Sequence, residues 1–367
     1  MLHRYRHVFI AMGLISFGCT ATVEPPMGSS SSSGGPGGGG FGGMTVTGGM
    51  GGVGGDGIAG FQPGVGGGGG NGGNQGCLDV PPVAAGPDAI IAMEYAGIYK
   101  AYDLGPIPGA PPQHLGGCTI DSKNPNRLLF AGDSENTAGA IYAIDLDRGP
   151  CGHIVGFKGT AVKIADTPYV DANLVYGPND VLFYTQWPVN KLSQILPGQA
   201  MPAVTIDGAT IGINTGDSVS GFGFAPPWVS AAGQPRTVTW AGGHWFHLNM
   251  TTNGSVFDLS GAAEQTVLPG GPGGFAYIPQ GSPGFPNPSL IMAEWSDNKV
   301  STYQINDMGD PMVASRKEFF TTFPRPWGAY FESQTGDFLF LTWGTVPDRV
   351  FVVQGFAVPP PPPPPPK

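Results

Sequence analysis

The chain has 367 residues, of which 63 are glycine and 39 proline, so more than a quarter of it has the composition of low-complexity segments. Charged residues make up only 11%, and 16 Lys and Arg against 26 Asp and Glu leave a net charge of −10. Cations this sparse, with no basic stripe, argue against a nucleic-acid partner and against adhesion of a folded domain to anionic lipid.

Residues 1–19 read as an export signal. His3, Arg4 and Arg6 form a basic start, and Val8 to Phe17 supply an apolar stretch too short to span a bilayer. Ser16-Phe17-Gly18-Cys19 is similar to a bacterial lipoprotein cleavage box, with Ser16 where such boxes usually carry Leu. The similarity implies lipidation of Cys19; Thr20 in place of Asp implies an outer-membrane or extracellular surface address. A soluble secreted protein cut near the same place, and a retained membrane anchor, are the alternatives.

Residues 20–76 are a Gly/Ser-rich linker. GSSSSSGGPGGGGFGG and VGGGGGNGGNQG hold too few apolar side chains to offset the entropy of ordering, so a disordered tether with an end-to-end distance of roughly 40 Å is expected.

Residues 77–356 carry a recurrent strand pair: AIIAMEYAGIYKAYDL (89–104), LLFAGDSENTAGAIYAIDL (128–146), VLFYTQWPVNKLSQILP (181–197), TVTWAGGHWFHLNM (237–250), LIMAEWSDNKVSTYQI (290–305) and FLFLTWGTVPDRVFVVQGF (338–356). A leading strand precedes five of them: GCTID (117–121), NLVYG (173–177), GFGFA (221–225), GFAYI (274–278) and GAYFE (328–332). Strand units repeating about every fifty residues predict an all-β β-propeller, and six pairs predict six blades. Six pairs against five leading strands is the mark of a ring cut within a blade, so the N-terminal strands are expected to complete the C-terminal blade. Residues 357–367, AVPPPPPPPPK, form a polyproline tail of extended geometry.

Export allows Cys77, Cys118 and Cys151 to oxidise. Three is an odd number, and each of the three pairings stays open. No CxxC or HExxH spacing supports zinc. His244-x-x-His247 on a strand points to opposite faces, which disfavours a shared metal. Asp307 to Asp310 are oxygen-rich with a glycine; calcium is one reading and a hairpin turn the simpler one. No metal or other cofactor is expected beyond that.

The stretch 273–356 and the segment NLVYGPNDVLFYTQWPVNKLSQILPG (173–198) resemble a family of uncharacterised secreted and envelope bacterial proteins with propeller-like folds. Pro326-Trp327-Gly328 and Thr335-Gly336-Asp337-Phe338-Leu339-Phe340 resemble, more distantly, repeats of NHL-type and gluconolactonase-like propellers. The resemblance implies the fold and an envelope address. It implies no activity, because the lactonases' metal-ligating Glu, Asn and Asp have no matching positions here.

Propeller ligands bind at a mouth of the central channel, lined by corners between the middle strands. Those corners hold Tyr95, Asp133, Trp187, Gly243, Trp295 and Trp343, with Glu94, Gln186 and Glu294 preceding three of the aromatics. Arg325 and Trp327 enter the last leading strand. Tyr95, Trp187, Trp295, Trp327, Trp343, Arg325, Glu94 and Glu294 are therefore the candidate ligand-binding residues. Aromatic platforms with interleaved carboxylates suit sugars or flat, weakly polar ligands, whereas packing between blades explains the same tryptophans without any ligand. Glu94 and Glu294 also form a candidate acid–base pair. The expected function is a monomeric, non-catalytic binding or scaffolding propeller for protein or glycan partners at the cell surface, held to the membrane by its lipid. The alternative is a lactonase-like or polysaccharide-acting hydrolase working at the channel mouth.

Overall fold

A computed structural model describes residues 79–359. Cys19, Cys77, the expected export signal, the Gly-rich linker and most of the polyproline tail lie outside the described residues. The described chain opens with β1 (Ile90–Ile91), a one-turn helix α1 (Met93–Ala96) and β2 (Lys100–Gly105). Five leading strands then each begin a sheet, and all strand pairs are antiparallel. Blade 1 is β3 (Cys118–Asp121), β4 (Asn124–Gly132), β5 (Ala140–Arg148) and β6 (Ile154–Asp166). Blade 2 is β7 (Val170–Tyr176), β8 (Leu182–Gln186), β9 (Lys191–Ile195) and β10 (Val204–Asp207). Blade 3 is β11 (Val219–Phe224), β12 (Pro235–Thr239), β13 (His244–Asn253) and β14 (Val256–Val267). Blade 4 is β15 (Pro272–Ile278), β16 (Ser289–Glu294), β17 (Lys299–Gln304) and β18 (Lys317–Thr322). Blade 5 is β19 (Pro326–Glu332), β20 (Asp337–Thr342) and β21 (Val350–Gln354).

The first expected blade, 89–104, is therefore not a blade. β1 is two residues long and pairs with the edge of blade 4 through β18, while β2 pairs with β21 and completes blade 5. The propeller has five blades rather than six. The expected closure holds: an N-terminal strand and the C-terminal strands share one sheet. That arrangement ties the two ends of the fold together through the β2–β21 ladder, from Lys100–Gln354 to Gly105–Val350.

Apolar runs such as VLFY, LIMA and FLFL alternate their side chains between two buried faces, because each blade is covered on both sides. In β20, Phe338 and Phe340 pack toward blade 4, and Leu339 and Leu341 pack toward blade 1. Five apolar layers result, one at each of the five blade junctions. Each fully buried Phe or Leu in them contributes about 2 kcal/mol of burial free energy.

Around the axis the inner strands β3, β7, β11, β15 and β19 touch in a closed ring. They come too close for side chains at several points. A Cβ on Gly117 would lie 2.4 Å from the Asn173 backbone, and one on Gly274 would lie 2.6 Å from the Ala329 nitrogen. Asn173, on β7, fills what remains of the channel. Its Oδ1 accepts from the backbone N–H groups of Phe222 and Phe275, and its Nδ2 donates to the carbonyls of Ala329 and Phe275. One buried amide thus bridges the inner strands of four blades, and the channel is a solid plug below its mouth.

Cys118 is a free, buried thiol, which removes the two pairings that would use it. Cys151 is disulfide-bonded. No helix among the described residues is long and apolar enough to cross a membrane.

Candidate functional site

One structural position recurs from blade to blade: the first residue after the second strand. It is Trp187 after β8, Trp240 after β12, Trp295 after β16 and Trp343 after β20. In each case the tryptophan backbone N–H donates to the residue just before its own inner strand: to the carbonyls of Tyr169, Ser218, Gly271 and Arg325, at 3.0, 3.2, 3.1 and 3.0 Å. This repeated clamp brings four indoles to the same end of the barrel axis. They pack edge to face in sequence, Trp187 on Trp240 at 5.8 Å, Trp240 on Trp295 at 5.7 Å and Trp295 on Trp343 at 5.7 Å between ring centroids. Trp327, from β19, sits against Trp240 and Trp343 and is buried. The four corner indoles are half-buried, so the cluster keeps an open face.

Blade 1 breaks the pattern. Its residue after β4 is Asp133, in the left-handed region at φ +49°, and the clamp shifts one residue on, with Ser134 N–H donating to the His114 carbonyl. Asp tolerates that backbone conformation where a bulky residue does not. The corner then carries Glu135, also left-handed at φ +66°, to the gap in the indole ring, and Glu135 N–H donates to Val170 O. Glu135 and the five tryptophans line a small pit.

Asp171 lies beneath Glu135. It is two residues before the Asn173 plug on β7, and its contact with Trp327 places its side chain under the indoles. It is fully buried, and its Oδ1 accepts from the indole N–H of Trp327 at 2.9 Å. Its Oδ2 has no hydrogen-bond partner among the described residues. Burial holds the Asp171 carboxyl well above the usual carboxylate range, and the neighbouring Glu135 adds to this; the Trp327 N–H opposes it. Burial likewise pushes Glu135 up to about 8, against the opposing hydrogen bond with Asp171. Near neutral pH the two carboxyls therefore hold protons that exposed carboxyls would have lost.

Arg325 and His114 form the rim. The Arg325 guanidinium lies 5.2 Å from the Trp295 ring centroid and donates to Gly344 O, and the His114 ring stacks on Trp343 at 4.6 Å. Arg325 is left-handed at φ +46°, one of the non-glycine residues held there beside the mouth.

Of the residues expected at this mouth, Trp187, Trp295, Trp327, Trp343 and Arg325 converge there. Tyr95, Glu94 and Glu294 do not. Tyr95 is on α1, buried outside the ring against Tyr99, Phe285 and Phe319, because 89–104 is not a blade. Glu94 is exposed and paired with Lys317. Glu294 is fully buried one residue before Trp295 but turns into the blade, where Arg316, Ser301 and Tyr303 hold it. Glu94 and Glu294 therefore form no acid–base pair. His244 and His247 diverge, to Glu264 and to Asp310. Asp310 faces inward and is committed to Arg236, Trp245 and His247, while Asn306 caps the 306–310 turn.

Three functional residues escape a reading by turn alignment: Trp240, Glu135 and Asp171. Trp240 ends TVTW as Trp187 ends YTQW, Trp295 ends MAEW and Trp343 ends FLTW. Aligning the copies on that residue rather than on the glycine turn at 242–243 recovers it. No spacing signals the Glu135–Asp171 pair, since its members come from different blades.

No family model matches the chain, and no curated protein matches it. Solved structures similar to it include a gluconolactonase from Xanthomonas campestris, 10% identical over 76% of this chain and 98% of that one, with a TM-score of 0.44. An aldose sugar dehydrogenase from Streptomyces coelicolor is 14% identical over 68% and 83%, with a TM-score of 0.38. A virginiamycin B lyase from Staphylococcus aureus is 11% identical over 70% and 99%, with a TM-score of 0.35. These are distant likenesses among propellers, and the blade count here rests on the strand pairing above.

Proposed function

We propose that this protein is a non-catalytic recognition module whose ligand seats a small group in the tryptophan cup. The observation that carries the reading is the delivery of one indole from the same position of four blades, with Trp327 beneath, around an open pit. A cluster needed only for packing would bury all its rings; four of these keep an exposed edge. The plug of Asn173 and the glycine-lined inner strands hold the cup rigid, so little ordering free energy is lost when a ligand enters.

The carboxyls support recognition over glycoside hydrolysis. That chemistry needs two carboxyl groups roughly 5–10 Å apart with the sugar between them, whereas Asp171, the carboxyl neighbouring Glu135, is sealed from solvent where no sugar reaches it. An envelope address with a lipid at Cys19, and a protein or glycan as the larger partner, belong to the same proposal; the export signal and the linker support them. The second reading is a hydrolase, lactonase-like or polysaccharide-acting, with Glu135 as general acid. Its support is the proton that Glu135 retains beside the pit near neutral pH.

The test is an intrinsic-fluorescence titration of the full-length protein with methyl glycosides, lactones, indole-sized aromatics and alkylammonium ions, alongside assays of turnover. Saturable quenching lost in Trp240→Ala and Trp295→Ala, without product, supports recognition. Turnover of a lactone or glycoside that disappears in Glu135→Gln overturns it in favour of the hydrolase.

A further inference from the structure

The cup's chemistry narrows its occupant. Five indoles supply electron-rich ring surface, and among the described residues the pit's only ionisable lining group is Glu135, an acid. Behind it stands the buried Asp171, whose Oδ2 has no hydrogen-bond partner among the described residues. A neutral sugar in such a pit would find few hydrogen-bond partners. Trp295 Nε1 is committed to the Trp343 carbonyl and Trp327 Nε1 to Asp171, while the Nε1 atoms of Trp240 and Trp343 are sealed from solvent. A small cation gains from ring faces and carboxyl alike, and aromatic cages with an acidic wall suit alkylammonium groups. The rim already shows this affinity in Arg325, whose guanidinium rests on Trp295.

From this geometry we infer that the group entering the tryptophan cup is a small organic cation, of the methylated or quaternary ammonium class, balanced by Glu135. The inference rests on the reading of the cup as a binding site. It carries a linked consequence. A cation beside Glu135 favours the ionised carboxylate, so binding expels the proton that the empty cup retains. The charged and titratable groups around it are Asp171 beneath, Asp133 two residues earlier on the same corner, and Arg325 and His114 on the rim. Arg325 opposes a further cation at the mouth, so a compact ammonium group that sits below it is favoured over a long, many-charged one.

The experiment compares choline, tetramethylammonium, the uncharged choline isostere 3,3-dimethylbutanol and methyl glucoside on the full-length protein, by calorimetry and indole fluorescence. Choline and tetramethylammonium are expected to bind at least tenfold more tightly than the isostere. Their affinity should rise toward tenfold per pH unit between pH 6 and pH 8 and level off above that. Glu135→Gln should weaken cation binding and flatten the slope, whereas His114→Gln should keep the slope. Should Glu135→Gln fail to fold, the wild-type pH series in two buffers of different ionisation enthalpy still reads the released proton. Binding of the isostere or the glucoside as tightly as choline overturns the cation inference and leaves the cup a binding site. Failure of all four probes overturns both. Cation binding with no pH dependence removes Glu135 from the account.

Discussion

Asn173→Ala is expected to destabilise the propeller more than any ordinary polar truncation. The Asn173 side chain is 2% exposed and makes four hydrogen bonds to three other blades. Truncation leaves the N–H groups of Phe222 and Phe275 buried without acceptors, and each orphaned donor costs about 1–3 kcal/mol. The sum is about 2–6 kcal/mol. A water entering the vacated space would satisfy one donor and recover part of this, so the lower half of the range, about 2–4 kcal/mol, is the expected loss. Equilibrium unfolding in urea, followed by far-ultraviolet circular dichroism, reads it directly as a lowered midpoint at an unchanged slope. A second variant separates the contributions. Asn173→Asp keeps an acceptor for both N–H groups but loses both donors and adds a charge on the same side of β7 as Asp171, so its stability should recover as pH falls. A loss below about 1 kcal/mol for Asn173→Ala, or an Asn173→Asp variant as stable at pH 8 as at pH 5, would refute the view that this amide ties the inner ring.

Stability of the wild-type protein should fall as pH rises from about 4 to about 8. Glu135 has a folded-state value of about 8, above the ordinary carboxyl range of about 4.3. The folded state therefore binds more protons than the unfolded state between those values, and raising pH in that window favours unfolding. Asp171 acts in the same direction. Thermal melts from pH 5 to pH 9 should show the decline, flattened in Glu135→Gln; a stability flat across the window contradicts the buried-carboxyl assignment. Gly274→Ala should prevent cooperative folding, because its Cβ would meet the Ala329 nitrogen at 2.6 Å and the Ala172 carbonyl at 2.7 Å; a soluble variant with a wild-type melt refutes the claimed closeness of the inner strands. Arg316→Ala strands the fully buried Glu294 with only hydroxyl donors and should cost about 3 kcal/mol by urea titration. A change under about 1 kcal/mol would show that Ser301 and Tyr303 suffice.

The blade pattern was legible because each blade is buried on both faces. Continuous apolar runs mark its middle strands, and a glycine-rich leading strand marks the crowded axis. The five leading strands count the blades correctly. The apparent sixth repeat misleads because 89–104 has the apolar content of a hairpin, yet Met93–Ala96 turns as a helix and divides it between two different sheets. Tyr95 and Glu94 leave the mouth for that reason alone. Glu294 fails differently: it is the last residue of its strand and is held within the blade by Arg316, Ser301 and Tyr303, while Trp295, just after the strand, turns to the mouth. The tryptophans were legible as repeat positions, and Trp240 was hidden only by the glycine pair that follows it. Glu135 and Asp171 were not legible, because their meeting depends on the shifted clamp of blade 1 and on ring closure, neither of which leaves a local spacing.

The most direct test uses a heavy-atom analogue of the smallest probe. Crystals soaked in tetramethylarsonium should show one anomalous peak inside the ring of Trp187, Trp240, Trp295 and Trp343, within about 6 Å of the indole centroids and beside Glu135. A peak elsewhere on the propeller, or none at a concentration that saturates indole quenching in solution, would contradict a cation seat at the mouth.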